Sequence, residues 1–209
     1  MQDLTLQLWE TQNQHPGDRF RLFTAVSRTV DVDTALYPGS YVDVAASFAF
    51  ASVTYVDSDA RAARFFSEST GVDEIITQHV PPVEERTWEF IGADYTTYLG
   101  LSDASFDLLI SLYAGFVSEH CTHYLRPGGW LLVNPSHGDA AIAAIDSRYR
   151  LVGVVQSRSG GYSVSDRNLD SYLIPKRDVE VTADLIHESG RGIAYTKSPF
   201  AYLFQLVAD

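Results

Sequence analysis

The chain has 209 residues, 45% of them apolar and 12% aromatic, enough for one sizeable core and too apolar for a disordered segment. Its 15 basic residues face 27 acidic ones, a net charge of −12, and no run of Lys or Arg relieves the excess. A field of that sign repels a phosphate backbone, so nucleic acid is not expected as the bulk partner. With a single cysteine, Cys121, no internal disulfide can form. His120 and His123 stand at i−1 and i+2 of Cys121 and do not face it on a helix, so a buried thiol is favoured over a nucleophile. "MQDLTLQLWETQNQ" has neither a basic start nor a long apolar run, so no signal peptide is expected. No stretch of about 18 apolar residues occurs; a membrane partner is not expected and the cytoplasm is the expected compartment.

Residues 3–12 read as an amphipathic helix and "HPGD" (15–18) as a turn. Asp18 is expected to cap the next helix, whose stripe is Phe20, Phe23, Ala25 and Val26. A strand over Ala35–Tyr37 ends at Pro38–Gly39. The β-branched "VTYV" (53–56) is a strand ending at Asp57. "DARAARFFSEST" (59–70) is helical, with Ala62, Phe65 and Phe66 inward and Gly71 just past its end. A proline-broken loop precedes a strand at Trp88–Ile91, which stops near Asp94. Phe106–Ser111 is the clearest buried strand. "VSEHCTHYL" (117–125) is helical and closes at "RPGG"; Trp130–Val133 is a strand stopped by "NPSHGD" (134–139). Residues 139–146 form a helix capped by Asp139. "YRLVGVVQ" (149–156) is a strand, 159–178 a loop with a short strand in it, and 179–189 a helix. A last strand, 201–207, closes the chain.

Alternating strands and helices call for a three-layer α/β architecture with a mostly parallel sheet, and the last strand is expected antiparallel at an edge. Ligands of such sheets bind beyond the carboxyl ends of the strands. At those ends the sequence offers Gly39 and Ser40 in the first turn, where a glycine lets backbone N–H groups approach a ligand. Asp57 follows Gly39 by 18 residues, the position of an acid that accepts ribose hydroxyls, while Asp59 suits the helix cap. Asp94 can accept a purine amine, and Tyr95 can stack on a ring; a turn-forming Asp and a packing Tyr are the plainer readings. Ser111 and Tyr113, with the small Ala114 and Gly115, are expected to line a floor at the central strand end. His137 is a candidate general base, with a helix-flanking loop histidine as the plainer reading. There is no G-x-S-x-G, no G-x-x-x-x-G-K-[ST], and the six histidines are scattered, so neither a hydrolase elbow, a phosphate loop nor a metal site is expected.

The order "ALYPGS", "VTYVDSD", "EFIGADYT", "SFDLLISLYA", "LRPGGWLLV" resembles the class I S-adenosylmethionine-dependent methyltransferases over roughly residues 20–146. The resemblance, which extends to small bacterial members of the group, implies a Rossmann-like sheet and S-adenosylmethionine as cofactor. It implies that Tyr37, Pro38, Gly39 and Ser40 contact the methionine part, that Asp57 with Ser58 holds the ribose, that Asp94 and Tyr95 flank the adenine, and that Ser111 and Tyr113 lie near the transferring methyl. The family's first motif has an acid and then three alternate glycines; here Tyr37 stands for the acid, Gly39 for the first glycine, and Tyr41 and Asp43 for the others, where they are expected to crowd the cofactor's carboxylate.

One domain spanning 1–209 is expected, with 1–30 as a helical arm and 156–200 as a lid or insertion whose Tyr162, Arg167, Tyr172 and Lys176 give it a mixed aromatic and basic face. The sequence supports methyl transfer to a small-molecule acceptor, with Tyr113 and His137 as the candidate catalytic residues. The alternative is a non-catalytic relative that binds a nucleoside or a protein partner. A nicotinamide oxidoreductase fits less well, because two phosphates need more free backbone N–H groups than a one-glycine turn exposes. Oligomeric state is not legible.

Overall fold

A computed structural model describes residues 3–15, 17–81 and 85–207. Pro16 of the expected turn and residues 82–84 of the proline-broken loop lie outside them. Among the described residues the strands are β1 (Thr34–Pro38), β2 (Ser52–Val56), β3 (Thr87–Ile91), β4 (Phe106–Ser111), β5 (Leu125–Val133), β6 (Tyr149–Arg158), β7 (Gly161–Ser165) and β8 (Ala201–Leu206). They form one sheet in the order β3-β2-β1-β4-β5-β8-β6-β7. Strands β1 to β5 pair in parallel, and β8 runs antiparallel to both β5 and β6. The antiparallel sense of the last strand is as expected, but its place is interior. Its residues 201–204 are buried and apolar throughout, so both faces are covered. The edge falls instead to the half-exposed, glycine- and serine-containing β7.

Period-two alternation splits the core. Ala35, Tyr37, Val53, Tyr55, Leu108 and Ile110 face one layer, with α1 (Asp3–Gln12), α2 (Asp18–Ser27), α3 (Ala60–Ser67) and α4 (Ser69–Thr77). Leu36, Val56, Leu109, Leu131 and Val133 face the other, with α5 (Val117–Cys121), α6 (Asp139–Ile145) and α7 (Ala183–Ser189). This is the three-layer α/β sandwich the alternation implied.

Several local expectations are corrected. Gly71 does not end α3: the chain bends at Glu68 and α4 begins, with Gly71 buried inside it and Val72, Ile75 and Ile76 on the core side. That 1, 4, 5 spacing of apolar residues outweighs the glycine. Asp59 caps α3, accepting from the Arg61 N–H at 2.7 Å. Asp18 is not a cap; Gly17 holds the N-cap position at φ 73° and Asp18 sits in the first turn. Its carboxylate instead accepts the Tyr162 hydroxyl at 2.9 Å, tying α2 to β7. The helix expected over 117–125 stops at Cys121 and gives way to a 3₁₀ turn, and β5 starts at Leu125 rather than Trp130 because Leu125 pairs with Phe106.

Candidate functional site

Strands β1 and β4 are neighbours, but β1 leads on to β2 and β3 while β4 leads to β5 on the other side. Their following loops diverge, and the crevice outside their carboxyl ends is where a doubly wound sheet binds ligands. The end of β6 and the start of β8 reach the same rim, because Val155 pairs with Ala201.

The turn after β1 is tight. Gly39 has φ 67°, and a Cβ there would stand 2.3 Å from the Ala114 Cβ, so only glycine fits against the loop after β4. Tyr41 also takes a left-handed φ of 50°. Asp57 holds this shape: one carboxylate oxygen accepts the Tyr41 N–H at 2.8 Å and the other accepts the Asp59 N–H at 2.8 Å. Each oxygen keeps a second lone pair for a ligand hydroxyl. Beside it, Ser40 is 2% exposed and its Oγ has no hydrogen-bond partner among the described residues.

Gly39, Asp57, Ser58, Asp94 and Tyr95 come together around a cleft of about 290 Å³, with Ala93 and Thr96 completing its wall. Asp94 forms a turn, its Oδ1 accepting the Thr96 N–H and hydroxyl at 2.9 Å each. Those bonds hold its carboxyl below the usual range. The Tyr95 hydroxyl donates to the Ala114 carbonyl at 2.6 Å, which ties the β3 loop to the β4 loop, and burial pushes its pKa up to about 12.

Other predicted residues are not in that cleft. Tyr37 is buried and donates to Asp43 Oδ2 at 3.1 Å; the same oxygen lies 3.4 Å from Arg19 Nε, and Asp43 Oδ1 accepts the Ala45 N–H at 3.1 Å. Burial raises the pKa of both Tyr37 and Asp43, and the Arg19 guanidinium partly offsets the rise at Asp43. At 2% exposure, Asp43 points into the core. Tyr41 lies under the Arg61 guanidinium, 5.3 Å from its ring centroid. Pro38 is buried at its strand end.

Ser111 is buried too. Its hydroxyl donates to Asp139 at 2.5 Å, and Asp139 also accepts the Ser118 hydroxyl at 2.5 Å and the Ser118 N–H at 3.1 Å. Asp139 therefore does not cap its own helix, whose N-cap is Gly138; it caps the start of α5 from across the layer. Burial lifts its pKa to about 6. Tyr113 is 53% exposed in a left-handed turn, φ 63°, with the Arg19 guanidinium 5.3 Å from its ring. It shares a second cleft, of about 400 Å³, with Arg19, Asn13, His15 and Phe200. His137 is exposed at φ 59°, its Nδ1 2.5 Å from Ser136 Oγ. Cys121 is buried, and burial pushes its thiol up to about 12, which leaves it a poor nucleophile. Among the described residues no group of three His, Cys, Asp or Glu side chains is placed to hold a metal, and no helix is long and apolar enough to cross a membrane.

Sequence reasoning missed Arg19 and Asp139. Arg19 sits in an amphipathic helix like any surface arginine, and Asp139 precedes a helix as a cap would. Nothing in one dimension distinguishes either from the commoner role.

No family model and no curated protein matches this chain. Solved structures do. An O-methyltransferase candidate from Klebsiella pneumoniae superposes with a TM-score of 0.54 at 11% identity, over 100% of this chain and 91% of that one. The N-methyltransferase NodS of Bradyrhizobium japonicum WM9, solved with S-adenosyl-L-homocysteine, gives 0.49 at 14% identity over 76% and 93%. The 1,6-didemethyltoxoflavin-N1-methyltransferase of Burkholderia thailandensis gives 0.45 at 11% identity over 99% and 86%. The full-length match to the Klebsiella protein and the strand order agree: this chain has the Rossmann-like fold of the class I methyltransferases.

Proposed function

We propose that the chain is an S-adenosylmethionine-dependent methyltransferase acting on a small-molecule acceptor. The observation that carries this reading is the cleft of about 290 Å³ at the carboxyl ends of β1, β2 and β3, lined by Gly39, Asp57, Ser58, Asp94 and Tyr95. Asp57, with one lone pair free on each oxygen, would hold the two ribose hydroxyls. Asp94 Oδ2, which takes no hydrogen bond from the described residues, would accept the purine amine, and the Tyr95 ring would lie against the base. The buried, unpartnered Ser40 Oγ is the kind of orphan atom that a bound ligand satisfies. The methionine end needs the loop 112–116 to draw back, because Ala114 lies on Gly39.

When bound, the cofactor supplies an electrophilic methyl on a sulfonium. The chain's own part is positioning: to hold the acceptor atom in line and to exclude water. Tyr113 lines the second cleft just past the end of β4 and would orient the acceptor. His137 would take a proton only from a weakly acidic acceptor.

The test is calorimetric titration with S-adenosylmethionine and S-adenosylhomocysteine, repeated on Asp57→Ala and Asp57→Asn. Micromolar binding is expected, weakened at least tenfold in Asp57→Ala, the loss of hydrogen bonds to a carboxylate at about 1.5–3 kcal/mol each. Asp57→Asn keeps one acceptor for the neighbouring N–H groups and separates lost binding from lost folding. Absence of binding by either ligand, or unchanged binding in both variants, overturns the proposal.

A further inference from the structure

The rim has a second half, beyond β4, formed by the end of β6 and the approach to β8. We infer that this half binds an anionic aromatic small molecule, its ring against Phe200 and Tyr172 and its charge between Arg158 and Lys197. The inference rests on the methyltransferase reading only in making that molecule the acceptor.

A cleft of about 540 Å³ lies there, lined by Arg158, Tyr172, Lys197 and Phe200, with Gln156 and Ser198 as polar neighbours. That volume is ample for a small ligand. Its charge is opposite in sign to the net charge of the chain. The chain carries a net −12 with 15 basic residues, yet two of those cations face one cleft. Neither has a carboxylate within 4.0 Å among the described residues. Arg158 is exposed at the end of β6, and among the described residues its guanidinium makes no hydrogen bond. Lys197 is exposed and donates to Ser171 Oγ at 2.9 Å, which leaves two N–H groups free. Two cations that share a cleft repel each other, and an arriving anion removes that repulsion. In a chain of this overall sign they also focus anions onto one place.

The aromatic wall is held in position. The Tyr172 hydroxyl accepts from Gln156 Nε2 at 2.6 Å, and the Tyr172 carbonyl accepts the Tyr202 hydroxyl at 3.3 Å. Lys197 Nζ stands 5.4 Å from the Tyr172 ring centroid. Phe200 packs edge-on against Tyr162 at 4.8 Å between centroids. Phe200 is also a wall of the cleft that contains Tyr113 and Arg19, so a ring seated on Phe200 has its uncharged end directed to the β4 loop. A phenol, aniline or similar ring nucleophile carrying a carboxylate or phosphate has this shape.

The test titrates the full chain, without cofactor, with 4-hydroxybenzoate, phenol and inorganic phosphate, and repeats the series on Arg158→Ala/Lys197→Ala. Both side chains are exposed, so the variant is expected to melt at the wild-type temperature. 4-Hydroxybenzoate is expected to bind at least tenfold more tightly than phenol or phosphate, and the double variant to lose at least tenfold for 4-hydroxybenzoate alone. Equal binding of phenol overturns the role of charge, equal binding of phosphate overturns the role of the ring, and retained or absent 4-hydroxybenzoate binding overturns the site. S-adenosylhomocysteine is titrated separately: its failure to bind, with 4-hydroxybenzoate still bound, removes the methyltransferase reading and leaves the anion site standing.

Discussion

Across the central crevice, the turn after β1 and the loop after β4 are each organised by a buried aspartate, but by different means. Asp43 has a cation, Arg19, reaching in from α2, and a phenol, Tyr37, donating to it. Among the described residues Asp139 has only hydroxyls and one N–H, from Ser111 and Ser118. A guanidinium balances the charge it desolvates, whereas hydroxyls satisfy hydrogen bonds without neutralising anything. The first side is thus stitched to α2 by charge, and the second to α5 by hydrogen bonds to a carboxyl whose pKa burial lifts to about 6. The two sides meet where Ala114 rests on Gly39 and where Tyr95 binds the Ala114 carbonyl.

The contact between the sides is the place to break first. Gly39→Ala adds a Cβ 2.3 Å from another and forces an L-residue to positive φ, and is expected to destabilise by about 3–4 kcal/mol in chemical denaturation. Adding Ala114→Gly should restore the overpacking part and leave about 1–2 kcal/mol of backbone strain. Asp139→Ala strands two hydroxyls and an N–H, with an expected loss of about 3 kcal/mol.

The same residue predicts a pH dependence, to which Asp43, also raised by burial, adds in the same direction. The folded pKa of Asp139 is about 6 and the unfolded value 3.8, so the folded state holds its proton longer. Its contribution is fully present below pH about 4 and is lost as pH rises through about 6, on the order of 3 kcal/mol in all. Melting temperature measured across this window should fall with rising pH, and Asp139→Asn should flatten the Asp139 part of the slope. Arg19→Ala leaves Asp43 buried without its cation; with the arginine side chain 25% exposed, about 2 kcal/mol is expected, and Asp43→Asn in the same background should recover part of it. Smallest is Tyr95→Phe, which removes one hydrogen bond for about 1 kcal/mol and, by freeing the loop 112–116, should tighten S-adenosylhomocysteine binding slightly.

Most of the architecture was legible because it is local. The run "FDLLIS" is apolar on both faces and became the buried β4, and Asp59 before an apolar stripe became a cap. Where reading failed, a distant partner had outweighed a local signal. Gly71 looked like a stop, but α4 buries it with Val72 and Ile75. Leu125 looked helical, but Phe106 offered a strand to pair with. The site divides in the same way. Glycine-to-acid spacing singled out Gly39 and Asp57, and its place at a strand end singled out Asp94; these do share a cleft. Tyr37 and Ser111 occupy strand ends as anticipated, but alternation along β1 and the hydrogen bond to Asp139 turn them inward.

By itself the sequence determined the alternation of strands and helices, the glycine turn and the acids at the strand ends, since each depends on residues within a turn or two of one another. Only the tertiary structure decided that β8 lies inside the sheet, that Asp43 and Asp139 are buried with different partners, and that Arg158, Lys197 and Phe200 share one cleft. Those outcomes depend on which segments bury each other's faces, and on desolvation that a carboxylate experiences only once its surroundings have assembled.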